Sequence, residues 1–172
     1  MIKIICCIVI LCASTMAGFI YSERLKYRVC QLNEMERAIY QLQNEITYVH
    51  ALLPDAFKSI ASKSKYPINE FFNKTSELLC ENEYENVYQA MYSAVESTRS
   101  KLYLNSEDIN VILDLSKTLG ESDIQGQNSM FIPTLANLKK QIKVAEEFMN
   151  KNIKMYRYLG FSFGAMLVIA LI

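Results

Sequence analysis

The side chains able to do chemistry are few and scattered. His50 is the single histidine, so a metal site built on paired histidines is excluded. It follows Glu45 by about a turn and a half of helix. A lone general base is one reading of it, and a surface or helix-end histidine is the other. Asp55, Asp108, Asp114 and Asp123 lack calcium-loop spacing. The chain has 5 glycines, none placed before Lys-Ser/Thr as a phosphate loop requires. Cys6, Cys7 and Cys12 lie in the apolar N-terminus, while Cys30 and Cys80 stand apart. That is neither a disulfide framework nor a zinc spacing, and it fits unpaired thiols in a reducing compartment. Asn73, Lys74 and Thr75 match a glycosylation acceptor, a pattern common by chance. No nucleophile, base and orienting group assemble, and no cofactor or metal is expected. An enzyme would have to be a hydrolase working with Asp and Glu alone, and no paired-carboxylate motif supports one. The residues point instead to a membrane-bound interaction module.

The elements that would position these residues are helices. Residues 22–152 are rich in Lys and Glu and poor in Gly and Pro, a composition that favours helix over strand. The formal net charge is zero, so nothing suggests attraction to nucleic acid. Leu25, Leu32, Ile39, Ile46 and Leu53 fall seven apart, with Met35, Leu42 and Val49 between them. This heptad stripe predicts one long helix, packed on its own domain or paired with a second copy as a coiled coil. Pro54 and Asp55 interrupt it. A short helix then carries Ala56, Phe57, Ile60 and Ala61, and Ser62 to Tyr66 form a polar connector. Pro67 suits the first turn of a third helix with Ile68, Phe71, Phe72, Leu78 and Leu79 on its apolar face. Glu81 to Glu85 read as a turn, and Val87, Ala90, Met91, Ala94 and Val95 make a fourth stripe. Asn105 or Ser106 caps a fifth helix bearing Ile109, Ile112, Leu113, Ser116 and Leu119. Gly120 is placed to end it in a left-handed conformation. Asp123 is the expected cap of the last helix, whose stripe runs 131, 135, 138, 142, 145, 149, 153, 156 with Pro133 near its start.

Both ends of the chain are apolar. Residues 156–172 reach about 25 Å as a helix and Ile4 to Tyr21 about 27 Å, against a hydrocarbon core of about 30 Å. The N-terminal stretch reads as a retained span or as a signal peptide cut after Ala17. Helical pattern continuing without a Gly or Pro break favours retention, as do Arg24, Lys26 and Arg28 just after the run. Lys151, Lys154 and Arg157 precede the second run, with Tyr156 and Tyr158 suited to the interface. The expected organisation is a transmembrane helix at 1–21, a soluble helical bundle at 22–155 and a transmembrane helix at 156–172. The positive-inside rule puts the bundle in the cytoplasm. Gly160 and Gly164 form a small-residue pair for span packing, repeated by Ala13/Ala17 and Ser14/Gly18.

These residues resemble a known family, the stage III sporulation protein AB of endospore-forming bacteria. Gln41, Leu42, Glu45, Ile46 and Tyr48, followed by Leu53, Asp55 and Ala56, carry one part of the resemblance. Leu119, Gly120, Asp123 and Gln127 carry the most specific part, and Leu159-Gly160 opening the last segment carries the third. The likeness in layout covers the whole chain. One departure lies at Leu52, where the family has a proline; here Pro54 comes two residues later, leaving the bend between the first two helices unspecified. The resemblance implies an all-α, non-enzymatic component of a channel-like complex between mother cell and forespore, in the mother-cell membrane around the forespore. It implies partners among the other stage III A proteins, especially a member similar to a secretion ATPase, and similarity to the inner-membrane platform protein F of type II secretion. Self-association of copies is also open. The loop Gly120, Asp123 and Gln127 is the candidate for a special role, structural or as a partner contact.

Overall fold

The computed structural model describes residues 2–81, 84, 86–120 and 124–171. All regular structure in these is helical: α1 (Ile2–Asn44) continuing into a π turn (Glu45–Val49), α2 (Leu53–Lys63), α3 (Ile68–Cys80), α4 (Val87–Thr98), α5 (Ser106–Ser116) and α6 (Ile124–Leu171). They form two compact units. One holds residues 30–143, and the other holds residues 1–29 with 144–172, so α1 and α6 contribute to both.

The larger unit is a bundle built on the α1 stripe. Leu32, Met35, Ile39 and Leu42 are at most 1 % exposed and Ile46 is buried. Each such side chain contributes about 1.5–3 kcal/mol by leaving water. The chain itself covers this face, so no dimer seam is left on it. α2 packs on α3, α3 on α4 and α4 on α5. Phe57 stacks on Phe72 with ring centroids 6.0 Å apart, and Phe71 tilts against Phe72 at 4.8 Å. Phe131, Leu135, Leu138 and Ile142 of α6 complete the core. Pro133 lies inside α6, well past its first turn, so it removes one intrahelical bond to the carbonyl four residues earlier, a departure from the expected place at the helix start.

Two buried hydroxyls are satisfied within their own helices. Thr75 Oγ1 donates to the Phe71 carbonyl at 2.9 Å, and Thr98 Oγ1 to the Ala94 carbonyl at 2.7 Å. Of the Asn73-Lys74-Thr75 match, Thr75 is fully buried and Asn73 is exposed. The α5 start is a reciprocal cap: Asp108 N–H donates to Asn105 Oδ1 at 2.8 Å, and Asn105 N–H donates to Asp108 Oδ2 at 2.9 Å.

Two further expectations change. The first long helix ends at the π turn, before Pro54, and Pro54 sits in the first turn of α2, where its missing N–H costs nothing. Val49 leaves the stripe and is 64 % exposed. A π turn winds more slowly than an α-helix, so a side chain three residues past Ile46 lags behind the buried face.

In the smaller unit, Tyr21 and Tyr156 meet with ring centroids 5.1 Å apart, so the N-terminal part of α1 and the C-terminal part of α6 lie side by side. Among the described residues no helix is long and apolar enough to cross a membrane. The side chains of residues 2–8, 10, 11, 157, 160, 161, 164, 167, 170 and 171 lie outside those described.

The burial pattern sets a stability test. Leu42→Ala should lower unfolding free energy by about 2–5 kcal/mol. Asn44→Ala, on the exposed side of the same helix, should stay within about 0.5 kcal/mol. Chemical denaturation followed by circular dichroism distinguishes them.

Candidate functional site

The end of α1 is held by one residue. The Glu45 carbonyl accepts from the His50 N–H and from the Ala51 N–H at 3.1 Å. Its carboxylate accepts from Ser59 Oγ at 2.7 Å and from Lys63 Nζ at 3.0 Å. Backbone and side chain of Glu45 thus close the turn and bind α2 along α1. The Ser59 hydroxyl and the Lys63 ammonium hold the Glu45 carboxyl below its ordinary range. A second clasp lies further along α1. The Glu34 carboxylate accepts from Arg37 and from the Lys65 N–H at 2.8 Å, and Arg37 Nη2 donates to the Lys63 carbonyl at 2.7 Å. Burial pushes the Glu34 carboxyl up, but the bonds from Arg37 and Lys65 outweigh it and leave it lowered.

His50 is exposed, with φ 55° and ψ 35°, at the end of the π turn. It is a helix-end histidine in the left-handed region, which His tolerates better than most residues. Around it Tyr48, Val49 and Leu52 stand 77 %, 64 % and 73 % exposed. Sequence pattern missed this group because Val49 falls on the heptad. The π turn that expels it leaves no periodicity of its own.

Gly120 has φ 89° and lies four residues past the end of α5, whose last helical residue is Ser116. A β-carbon at Gly120 would sit 3.4 Å from Leu53 Cδ1 and 3.6 Å from Val87 Cγ2. The loop after α5 therefore meets the first turns of both α2 and α4. This joins two stretches that carry the family resemblance, around Leu53 and around Gly120, which are 67 positions apart in sequence. Asp123 and the Gln127 side chain lie outside the described residues, as do the surroundings of Gly160 and Gly164 within α6. Among the described residues no group of three His, Cys, Asp or Glu could hold a metal. Cys12, Cys30 and Cys80 are free thiols. Among the described residues an open groove lies between Tyr84 and the α4 residues Tyr88, Tyr92 and Glu96.

Two outcomes follow from this geometry. Gly120→Ala should destabilise the bundle by about 1–2 kcal/mol, because the left-handed backbone is strained with any β-carbon; thermal melting measures it. Glu34 and Glu45 are more acidic folded than unfolded, where they titrate near 4.5. Their stabilisation is complete above that value and is lost as the pH falls through the lower folded values. The melting temperature should therefore drop below about pH 4.5, and Glu45→Gln should melt lower at neutral pH with a shallower acid decline.

The chain matches the family described as stage III sporulation protein AB over residues 3–172. It is 28 % identical over 175 residues to the Stage III sporulation protein AB of Bacillus subtilis (strain 168), spanning 99 % of each chain. A solved structure of a stage III sporulation protein AB superposes with a TM-score of 0.66 at 24 % identity, over 72 % of this chain and 96 % of that one; this likeness speaks to the fold. With the match running through nearly its whole length, the chain belongs to the stage III sporulation protein AB family.

Proposed function

We propose that this protein is a membrane-anchored, non-enzymatic platform of a secretion-like channel complex between mother cell and forespore. In this reading the two chain ends cross the bilayer as a hairpin, the bundle faces the cytosol, and a secretion-ATPase-like member of the same set docks on it. The observation that carries the reading is the chemistry of the smaller unit. Met16, Ile20, Leu159, Phe163, Met166 and Ile169 are all more than half exposed there. A paired set of helices with large apolar side chains on its outside calls for an apolar solvent, and a bilayer supplies one without further protein. Basic residues flank both apolar stretches on the side of the bundle in sequence, which supports a cytosolic bundle.

Family membership supports the sporulation setting. The platform role rests on the likeness in layout to type II secretion. Gly120, Asp123 and Gln127 are the loop proposed to serve the partner, and Gly160 and Gly164 the positions proposed for span packing.

The reading is tested by topology. With the native cysteines replaced, Lys58→Cys should react with a membrane-impermeant maleimide only after cells are permeabilised. Reaction in intact cells would place the bundle outside the membrane and remove the docking role. Recovery of the unlabelled chain in the soluble fraction would remove the anchor instead.

A further inference from the structure

The smaller unit brings together two basic runs from far apart in the sequence. Tyr21 and Tyr156 meet with ring centroids 5.1 Å apart, which sets a common level on α1 and α6. Away from the apolar stretches, residues 22–28 follow Tyr21 on α1 and residues 150–155 precede Tyr156 on α6. These two segments hold Arg24, Lys26, Arg28, Lys151 and Lys154 against a single acid, Glu23. Arg24, Lys26, Lys151 and Lys154 are exposed.

The cations fall at one depth. At about 1.5 Å per residue, Arg24 and Lys26 stand about 5–8 Å beyond the tyrosine level, and Lys154 and Lys151 about 3–8 Å beyond it. The headgroup layer on each side of a bilayer is about 5–8 Å thick. Arg28 lies about 11 Å out, and its long side chain can reach back into that layer. The nearest acids of α6, Glu147 and Glu146, come about 14–15 Å from the level, beyond the headgroups. The whole chain has a formal net charge of zero, so any attraction to anions here is local.

The protein leaves most of these charges for a ligand. Lys26 Nζ pairs with Glu23 Oε1 at 2.6 Å. Among the described residues no ion pair forms at Arg24, Lys151 or Lys154. The Arg24 guanidinium is 6.0 Å from the Tyr21 ring, a contact with its face that leaves its N–H groups for an oxygen acceptor. Tyr27 and Met155 are 50 % and 44 % exposed within the same band. Just below it the outward Ile20 and Leu159 begin the apolar surface. An anionic phospholipid matches both, its phosphate the cations and its acyl chains the apolar surface below. A soluble acidic protein would match only the cations, and a zwitterionic lipid carries its own cation, which opposes the attraction.

We propose that Arg24, Lys26, Lys151 and Lys154, with Arg28, form a collar that binds the headgroups of anionic phospholipids in preference to zwitterionic ones. The proposal rests on the membrane anchor above and names the lipid class that the anchor gathers around it.

The test uses the full chain in phosphatidylcholine nanodiscs containing a trace of spin-labelled phosphatidylglycerol or spin-labelled phosphatidylcholine. Electron spin resonance reads the fraction of label held still by the protein. The native chain should hold the anionic label about threefold or more over the zwitterionic one, and about 0.5 M salt should reduce that preference. The variant Arg24→Gln, Lys26→Gln, Lys151→Gln and Lys154→Gln should hold both labels equally. Lys58→Gln with Lys140→Gln, exposed on the bundle, should behave as the native chain does. Either orientation in a nanodisc meets the same lipids, so a role of the charges in topology alone would leave no preference. Helicity and melting temperature exclude misfolding of the variants. Equal retention of both labels by the native chain, or an unchanged preference in the four-site variant, would overturn the collar while leaving the anchor standing. Failure of the native chain to stay with the nanodiscs would remove the anchor instead. The collar is then decided by sedimentation with vesicles of phosphatidylglycerol or phosphatidylcholine. Binding to the first alone, lost in the four-site variant, keeps it, and equal binding or none overturns it.

Discussion

The turn closed by Glu45 is the constraint on which the bundle depends. Its carbonyl takes the N–H groups of His50 and Ala51, and its carboxylate takes Ser59 and Lys63. Those four bonds stop α1, reverse the chain and hold α2 along the buried stripe. Without the reversal, Phe57 and Ile60 could not reach the core. Glu34 repeats the device one connection away, tying α1 to the segment that leads from α2 into α3. Both carboxylates are only partly exposed, so their bonds are less screened by water than those of an open surface pair.

Most other ion pairs of the bundle are of that open kind. Lys74 with Glu77 and Lys117 with Asp114 are well-exposed pairs three residues apart on their own helices or helix ends, worth a few tenths of a kcal/mol each. Apolar burial along α1, α3 and α6 therefore carries the stability, and the two Glu clasps specify which helix lies where. Local back-bonding by Thr75 and Thr98 lets polar side chains enter the core without needing a cross-helix partner.

The two units divide the chemistry between them. In the smaller one, large apolar side chains stand outward beside a tyrosine pair, which suits a bilayer and its interface. In the larger one, most aliphatic groups are inside, with Val49, Leu52 and Ile132 among the exceptions.

The sequence by itself determined the helical class, the stripe from Leu32 to Ile46, the apolar face of α4 and the stripe of α6 from Phe131 to Ala145. It also determined the cap at Asn105 and the left-handed Gly120. Each of these depends on residues within one or two turns of each other, where periodicity and capping act. Legible in the same way was the membership of the family, since its motifs are local strings. The π turn, the outward Val49, the Glu45 clasp and the meeting of Gly120 with Leu53 and Val87 were decided only by the tertiary structure. A carboxylate 14 positions from its serine leaves no periodic trace. Nor does a turn that widens by one residue to satisfy contacts made elsewhere. Such features are set by the shape of the packed core, which comes into being only when distant segments share it.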